Sequence, residues 1–260
     1  MAQRTRKSKR GKQAVQEKQG PSTMVLVLGG VAVLALAVVI WNVVSGVTDR
    51  TVRSHVEIDF DSPGELLEMA TPVVRGDPDA PITLMDFSDY SCPACRDFAS
   101  RVKPTLNRVY VDTGLLRFEY YDFPPPGMFP NSYTASRAAR CAGDQDAYWA
   151  FHDRLYQNQS RWSTLSDPVR TFEGYAEEIG VDRGDFRDCL RGDRHAETVT
   201  ANFMLGQQLG VTGTPTVMLN TGEGAPVRIN QWNDVDAVRS AIDAALERGG
   251  HIEANEEDDG

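Results

Sequence analysis

The sequence has no excess of basic residues, no internal repeat and only one long apolar run. Acidic residues outnumber basic ones by 37 to 27, and this formal net charge of −10 argues against general nucleic-acid binding, which needs a basic face. A single apolar run excludes a multi-span membrane protein, and 41% hydrophobic residues exclude a wholly disordered chain. The 260 residues therefore suit one globular domain of ordinary size, or two small ones.

The apolar run lies between Met24 and Val44 and contains no charged residue. At about 1.5 Å per residue, a helix of this length matches the roughly 30 Å hydrocarbon core of a bilayer. Residues 1–23 carry seven basic side chains and one acid, so the positive-inside rule places the N-terminus in the cytoplasm. We predict a basic cytoplasmic tail over 1–23, one transmembrane helix over 24–44 and an extracytoplasmic remainder.

A cleaved signal peptide is the alternative, because it also combines a basic start with an apolar run. Against it, the run exceeds the roughly 7 to 15 residues of a signal peptide, and no convincing small-x-small cleavage site follows. In both interpretations the main domain lies outside the cytoplasm. In such an oxidising compartment, cysteines are expected to form disulfides or redox centres.

The exported part divides by composition and hydrophobic periodicity. Residues 45–70 are polar and are interpreted as a tether, with a short helix near Glu65–Met69, and the acidic residues 250–260 are expected to stay solvated and disordered. Between them the patterns predict, in order, a strand over Ile82–Phe87, a helix from Cys92, a strand over Leu115–Phe123, helices of which the first covers Ser132–Tyr156, strands over Thr216–Leu219 and Val227–Gln231, and a helix over Val235–Arg248.

The chemistry is expected at Cys92-Pro93-Ala94-Cys95, at the junction of a strand and a helix. Backbone N–H groups and the positive end of the helix dipole stabilise a thiolate at Cys92 there. The two-residue spacing lets Cys95 resolve a mixed disulfide on Cys92, so the pair can cycle between dithiol and disulfide. Arg96 stands where haem attachment needs a histidine, and a second CxxC for a four-cysteine zinc site is missing. We expect neither a metal nor a cofactor.

The run Asp86-Phe87-Ser88-Asp89-Tyr90-Ser91 before the cysteine motif, and the later Gly210-Val211-Thr212-Gly213-Thr214-Pro215-Thr216, resemble the DsbA-like thiol:disulfide oxidoreductases of the thioredoxin superfamily. The chain is most similar to their membrane-anchored DsbA/BdbD-type branch, over residues 72 to about 248. The resemblance implies an α/β thioredoxin fold with an inserted helical domain. Its first part would cover 71–130, the insertion 131–209 and its second part 210–249.

The resemblance also assigns site residues. Thr214-Pro215 matches the family's cis-proline loop, which would pack beside the Cys92 sulfur and leave the Thr214 backbone free to pair with an extended substrate. Asp86 matches an acid beneath the active-site helix, where desolvation would raise its pKa enough for proton exchange with Cys95. A solvated acid at a strand end is the alternative for Asp86. For Asp89 only a capping or surface role is expected.

Cys141 and Cys189 fall on apolar stripes of two helices predicted in the insertion. Two facing cysteines in an exported domain are expected to join, and related family members can carry a second bridge, so we predict a structural Cys141–Cys189 disulfide; two buried free thiols are the alternative. His152 is expected to pack in a helix rather than act as a base. An apolar groove for unfolded substrate and simple core packing explain the following residues equally well: Phe123, Met128, Phe129 and Met204.

By resemblance, the protein is expected to be a protein disulfide oxidoreductase anchored in the bacterial cytoplasmic membrane, with its catalytic domain in the periplasm. Reduced exported proteins would receive the Cys92–Cys95 disulfide, and a quinone-linked membrane partner would reoxidise the pair. A reductase or isomerase using the same residues is one alternative. A membrane-tethered binding module whose CxxC is structural or holds zinc is the other.

Overall fold

The computed structural model describes residues 23–48 and 51–251, and the chain forms two compact units, Met1–Asp49 and Arg50–Gly260. The first unit contains helix α1, Thr23–Thr48, in which the side chains of Met24 and of residues 27–42 are described. Across these described ranges, no helix combines the length and the apolar character needed to cross a membrane. Residues 1–22 of the predicted basic tail and residues 252–260 of the predicted acidic tail lie outside the described residues.

A five-stranded mixed sheet forms the centre of the second unit, with the strand order β1-β3-β2-β4-β5. β2 runs parallel to β3 and antiparallel to β4, so it lies in the middle of the sheet. This position explains its almost continuous run of buried residues. The mixed architecture confirms the α/β part of the predicted fold class. The strands are Val73–Arg75, Ile82–Ser88, Leu116–Asp122, Thr216–Asn220 and Val227–Arg228.

The helical run over residues 93–111 connects β2 to β3. Helix α3 (Pro93–Asp97) and helix α4 (Lys103–Leu106) alternate with π-helical turns at Phe98–Val102 and Asn107–Val111. Pro104 lacks the N–H that an α-helix interior requires, which accounts for a local departure from α-helical hydrogen bonding. The run packs large apolar side chains, among them Phe98 and Leu106, into the core.

Six helices lie between β3 and β4, within the predicted insertion. The first predicted helix of this block is in fact two helices, because the chain turns at Asp146, whose φ of 60° is incompatible with a continuous helix. Phe151, Trp162, Phe172 and Phe186 are fully buried between these helices. Their bounds are α5 Ser132–Gly143, α6 Tyr148–Gln157, α7 Gln159–Trp162, α8 Val169–Glu178, α9 Arg183–Arg191 and α10 Ala196–Gln208.

Residues 51–70 belong to the folded domain, which corrects the prediction of a tether ending at residue 70. Helix α2, Pro63–Met69, begins at Ser62, whose hydroxyl accepts the Glu65 N–H. Leu66 and Ala70 are fully buried in a second core cluster, with Ile58 packed against it. Charged residues are interspersed among the apolar ones in this segment, so the sequence suggested a solvated linker.

The insertion also contains a disulfide between Cys141 of α5 and Cys189 of α9, with a Cα–Cα distance of 5.8 Å. Beside it the buried guanidinium of Arg137 donates to the backbone carbonyls of Cys189 and Gly192, and to Val52 of the N-terminal segment. The carbonyls of helix α9 and its C-terminal turn are thus satisfied by one side chain. The last helix, α11, spans Val235–Arg248 and buries one apolar face.

Candidate active site

Cys92 lies at the N-cap of α3, four residues beyond Ser88, the end of central strand β2. Its backbone N–H donates to the Asp89 carbonyl at 3.0 Å, and Pro93 occupies the first helical turn, where a missing N–H costs little. The Cys92 Sγ lies 3.4 Å from the Thr214 carbonyl oxygen. Only 8% of Cys92 is exposed, so its sulfur is reached from one side.

The pKa of Cys92 is lowered to about 6, chiefly by a hydrogen bond from the Cys95 thiol. Partial burial opposes this effect, while the Thr214 side chain and the N–H groups of Cys95 and Ala94 add to it. These N–H groups belong to the first turn of α3, as expected for a thiolate at a helix N-terminus. Cys92 is therefore mainly a thiolate at neutral pH.

Cys95 lies in the opposite environment. It is 1% exposed, and burial raises its pKa well above the ordinary value, with the Cys92 and Asp86 charges adding to the rise. The Asp89 N–H donates to its sulfur at 3.5 Å. Cys92 and Cys95 are both reduced in the structure. One thiol is thus prepared as a nucleophile, and the other is kept protonated beneath it.

The peptide bond between Thr214 and Pro215 is cis, and it lies directly before β4. The Thr216 hydroxyl donates to the Gly213 carbonyl at 2.8 Å, which ties the loop to the start of that strand. The structure therefore brings Thr214 to the Cys92 sulfur although 121 residues separate them in the sequence.

Asp86 lies on β2, is 2% exposed and accepts a hydrogen bond of 2.5 Å from the Ser88 hydroxyl. Burial raises its pKa to about 7, although the Ser88 hydrogen bond and the Lys103 charge oppose the rise. This acid can hold a proton at neutral pH within the electrostatic reach of Cys95. The Asp86 side chain therefore points into the protein, and the alternative of a solvated acid at a strand end is wrong.

Asp89 is completely buried, so the expectation of a surface role for it is wrong. Its carboxylate accepts the Ser91 N–H at 2.9 Å and so shapes the loop that leads to Cys92. Burial raises its pKa to about 7. In the sequence Asp89 follows a strand and precedes a helix, which is also where a solvated capping acid would stand.

Two contributors to the site carry no motif signal. The Gln159 amide donates to the carbonyls of Tyr90 and Cys92 at 2.7 and 2.9 Å, and so attaches α7 to the active-site loop. Lys103 is almost fully buried and acts electrostatically on Asp86. Their partners are distant in sequence, so no local pattern could have identified them.

His152 is fully buried among aromatic rings, including those of Tyr90 and Tyr120. Burial and the Lys103 charge lower its pKa to about 3, so the imidazole is neutral at physiological pH. The expected packing role fits this environment.

The structure does not gather the proposed groove residues into one surface. Phe123 and Met204 belong to the second core cluster, Phe129 packs against the main core, and Met128 is 64% exposed. A continuous apolar groove made of these four side chains is therefore not present.

One group of potential metal ligands occurs within the described residues, namely Cys141, Cys189 and His195, whose ligand atoms lie within 4.8 Å of one another. Both sulfurs are consumed by the disulfide. The His195 Nε2 contacts the Asp144 carboxylate at 3.0 Å. The two sulfurs and the His195 Nε2 are therefore all engaged in other bonds or contacts.

Comparisons with known proteins agree with this geometry. A family model described as Thioredoxin matches residues 68–244. A protein of Bacillus anthracis named "Probable disulfide bond formation protein D" is 29% identical over 219 residues, covering 83% of this chain and 97% of its own. Disulfide bond formation protein D of Bacillus subtilis is 26% identical over 193 residues, covering 67% and 79%. The crystal structure of oxidised BdbD from Bacillus subtilis superimposes in fold with a TM-score of 0.60 at 24% identity, covering 68% of this chain and 97% of that one.

Proposed function

Because the chain belongs to the thioredoxin family and is a thiol–disulfide oxidoreductase of the DsbA-like kind, we propose that it introduces disulfides into exported proteins through Cys92 and Cys95. The observation that supports oxidation of the substrate, as opposed to its reduction, is the difference in pKa between the two thiols. A pKa of about 6 at Cys92 favours the reduced, thiolate form of the enzyme. A stabilised reduced form makes the oxidised form a strong oxidant.

The reaction starts from the Cys92–Cys95 disulfide. A substrate thiolate attacks the Cys92 sulfur, the enzyme disulfide breaks, and Cys95 leaves as a thiolate that must gain a proton. A second substrate thiolate then attacks the substrate sulfur of the mixed disulfide, and Cys92 leaves. The substrate has lost two electrons to the enzyme, which ends as a Cys92 thiolate and a Cys95 thiol.

Asp86 supplies the proton in this scheme. It is buried beneath the active-site helix, interacts electrostatically with Cys95, and has a pKa of about 7. A carboxyl group of this pKa can give up a proton at neutral pH and recover it afterwards.

The Thr214–Pro215 loop is proposed as the substrate platform. It lies at the Cys92 sulfur and precedes β4, so an extended substrate segment can pair with the Thr214 backbone. The substrate thiol would then be held close to Cys92.

We further propose that the apolar run 24–44 anchors the chain in the bacterial cytoplasmic membrane, with the catalytic domain in the periplasm. The charge-free run and the basic residues before it support this proposal. A quinone-linked membrane protein would act as the reoxidant, since each catalytic cycle leaves two electrons on the enzyme.

The proposal is tested with a reduced, unfolded protein whose native disulfides restore a measurable activity. Wild-type enzyme in its oxidised form should restore that activity, and Cys92→Ser should not. Given instead a peptide that already contains a disulfide, Cys95→Ser should accumulate a mixed disulfide on Cys92 that is visible by mass spectrometry: the Cys92 thiolate attacks the peptide disulfide, one peptide thiolate leaves, and the resolving thiol is missing. Oxidation at the wild-type rate by Cys92→Ser would refute the mechanism.

A further inference from the structure

The Cys141–Cys189 bridge lies beside two polar side chains to which the proposed mechanism assigns no role. Cys141 belongs to α5 and Cys189 to α9, while Asp144 directly follows α5 and His195 directly precedes α10. The ends of three helices of the insertion therefore bring two sulfurs, one imidazole and one carboxylate together. These are the groups that bind zinc in proteins.

The spacing of these four groups is close to that of a tetrahedral zinc site. The two sulfurs and a ring nitrogen of His195 lie within 4.8 Å of one another. The Asp144 Oδ1 lies 3.0 Å from the His195 Nε2, and its Oδ2 lies 3.7 Å from the Cys189 Sγ. Ligand atoms at about 2.0 to 2.3 Å from a tetrahedral zinc ion are about 3.3 to 3.8 Å apart. One ion can thus reach all four groups after small side-chain movements.

The redox state of the two cysteines decides whether this set of ligands is available. The thiolate is the form of cysteine that binds a metal, and in the disulfide the two sulfurs are bonded to each other. Because the two Cα atoms are 5.8 Å apart, rotation about the Cα–Cβ bonds can separate reduced sulfurs to about 3.8 Å without moving α5 or α9. The set is therefore complete only in the reduced chain.

Two arginines hold the surroundings of these ligands in place. The Arg194 Nη1 donates to the Asp144 Oδ2 at 2.9 Å, and Arg137 donates to the carbonyls of Cys189 and Gly192 at the end of α9. Such outer contacts orient metal ligands. Two thiolates and one carboxylate exceed the charge of Zn²⁺ by one, and the Arg194 guanidinium offsets this excess.

His195 connects the group to solvent. Its side chain is 22% exposed and lines an open groove of about 480 Å³, whose walls also carry Glu57, Asp193, Arg194 and Glu197. Both sulfurs are almost fully buried, so an ion reaches them past the imidazole. The backbone of His195 has a φ of 64°, a left-handed conformation that is uncommon outside glycine and that often occurs at ligand sites.

We propose that the reduced chain binds one zinc ion at Cys141, Cys189, His195 and Asp144, and that formation of the bridge expels it. Binding releases the protons of the two thiols. The inference goes beyond the proposed function and does not depend on the redox role of the active-site pair.

The exchange of zinc for the bridge uses an external disulfide as the oxidant. The Cys141 thiolate attacks that disulfide, and one thiolate of the oxidant leaves. The Cys189 thiolate then attacks the Cys141 sulfur of the mixed disulfide, and the second thiolate of the oxidant leaves. The two cysteines have lost two electrons to the oxidant, and the metal departs unchanged as Zn²⁺.

The test uses the full chain in mild detergent with Cys92→Ser/Cys95→Ser, so that the active-site pair cannot contribute zinc ligands. This parent protein is refolded with a phosphine reductant in the presence of Zn²⁺ and desalted, and its metal content is measured by mass spectrometry of the elements. The reduced parent should retain about one zinc ion per chain, and the oxidised parent close to none.

Single substitutions in the reduced parent identify the ligands. His195→Ala and Asp144→Ala should each weaken zinc binding by at least about tenfold in competition with a chromophoric chelator. His251→Ala and Asp188→Ala remove an exposed imidazole and an exposed carboxylate, and as matched controls they should bind zinc like the parent.

A second readout follows the metal during bridge formation. Oxidised glutathione added to the zinc-loaded parent should release zinc to a chromophoric indicator as the linked Cys141–Cys189 peptide appears in mass spectrometry. Zinc that stays bound after the linked peptide has formed would contradict the exchange.

Two results overturn the inference while leaving the oxidase function intact. One is a folded, reduced parent that retains no zinc. The other is equal zinc binding by the parent and His195→Ala, because zinc held by free thiols alone does not need the imidazole. If the reduced parent is unfolded without metal, zinc should restore its helical circular dichroism, and failure to do so also overturns the inference.

Discussion

At the scale of single residues, the site depends on how burial and hydrogen bonding shift the pKa values of its thiols and carboxyl groups. The Cys95 thiol and backbone N–H groups donate to the Cys92 sulfur, so the pKa of Cys92 falls to about 6. Cys95 has little compensation for its burial, so its pKa rises. Asp86 and Asp89 are buried as well, and their pKa values rise to about 7. One loop thus holds a stabilised thiolate above groups that prefer to stay protonated.

The raised pKa of Asp86 predicts a pH-dependent loss of stability. Folding raises this pKa from 3.8 to about 7, so the folded protein binds more protons than the unfolded chain between these values. The contribution is fully present below pH 3.8 and is lost as pH rises through 7. At pH 8, Asp86→Asn should therefore increase the free energy of unfolding by roughly 2 to 4 kcal/mol, measured by urea denaturation.

The half-exposed acid Asp97 on the same helical run provides the control, since Asp97→Asn should change the stability little at either pH. The gain from Asp86→Asn should also largely vanish at pH 3, where the wild-type carboxyl is mostly protonated in both states. An equal effect of Asp86→Asn at pH 3 and pH 8 would show that Asp86 does not titrate as described.

At the scale of elements, hydrophobic pattern and a few motifs predicted a large part of the fold. β2 was predictable because a central strand is apolar on both faces, and the CxxC identified the start of α3. The packing of α2 was not predictable, because its burial depends on Leu66 and Ala70 meeting a second core that forms only in three dimensions. The break between α5 and α6 was also missed, although Gly143 ends α5, because the residue with the positive φ is Asp146 and the apolar pattern continues beyond it.

The site was predictable only where its residues belong to motifs of the sequence. Cys92, Cys95, Thr214, Pro215 and Asp86 lie in motifs that can be recognised along the chain. Gln159 and Lys103 act through contacts with residues distant in sequence, and their residue types are ordinary on a helix surface.

The bridge between α5 and α9 predicts a specific loss of stability. Cross-linking two cysteines 48 residues apart stabilises the fold by about 4 kcal/mol on the chain-entropy model, which is an upper value for many proteins. The double variant Cys141→Ala/Cys189→Ala should therefore lose up to that amount of its free energy of unfolding. Its urea midpoint should fall accordingly. Thiol exchange at Cys92 should remain, because the bridge lies in the insertion.

Peptide mass mapping checks the connectivity on which this prediction rests. After mild reduction, labelling should find two thiols, those of Cys92 and Cys95, with the Cys141–Cys189 peptide still linked. A linkage between Cys92 and Cys141 would contradict it.

At the scale of the whole molecule, the net charge of −10 combines a basic N-terminal block with a strongly acidic remainder. If the run 24–44 anchors the chain, the full-length protein should stay with the membrane fraction after a carbonate wash. Val33→Arg/Leu36→Arg should weaken that association, since each arginine at the centre of a span costs about 2.5 to 3.5 kcal/mol on insertion scales.

Glu57→Arg/Glu65→Arg adds the same residues outside the run and should leave the membrane association unchanged. Protease added to spheroplasts should cleave the catalytic domain but spare the N-terminal tail if the domain lies outside the cytoplasm. Recovery of the wild type in the soluble fraction would contradict the anchor without affecting the redox chemistry.

The most direct test of the central claim is the reduction potential of the Cys92–Cys95 pair, measured in glutathione buffers at pH 7 by mass spectrometry of the peptide that carries both cysteines. The stabilised Cys92 thiolate predicts a pair more oxidising than thioredoxin, with a potential above about −270 mV and displaced toward the −120 mV of a strong disulfide donor. A potential of about −270 mV, as for a reductant of the thioredoxin kind, would contradict the proposal that this protein forms disulfides.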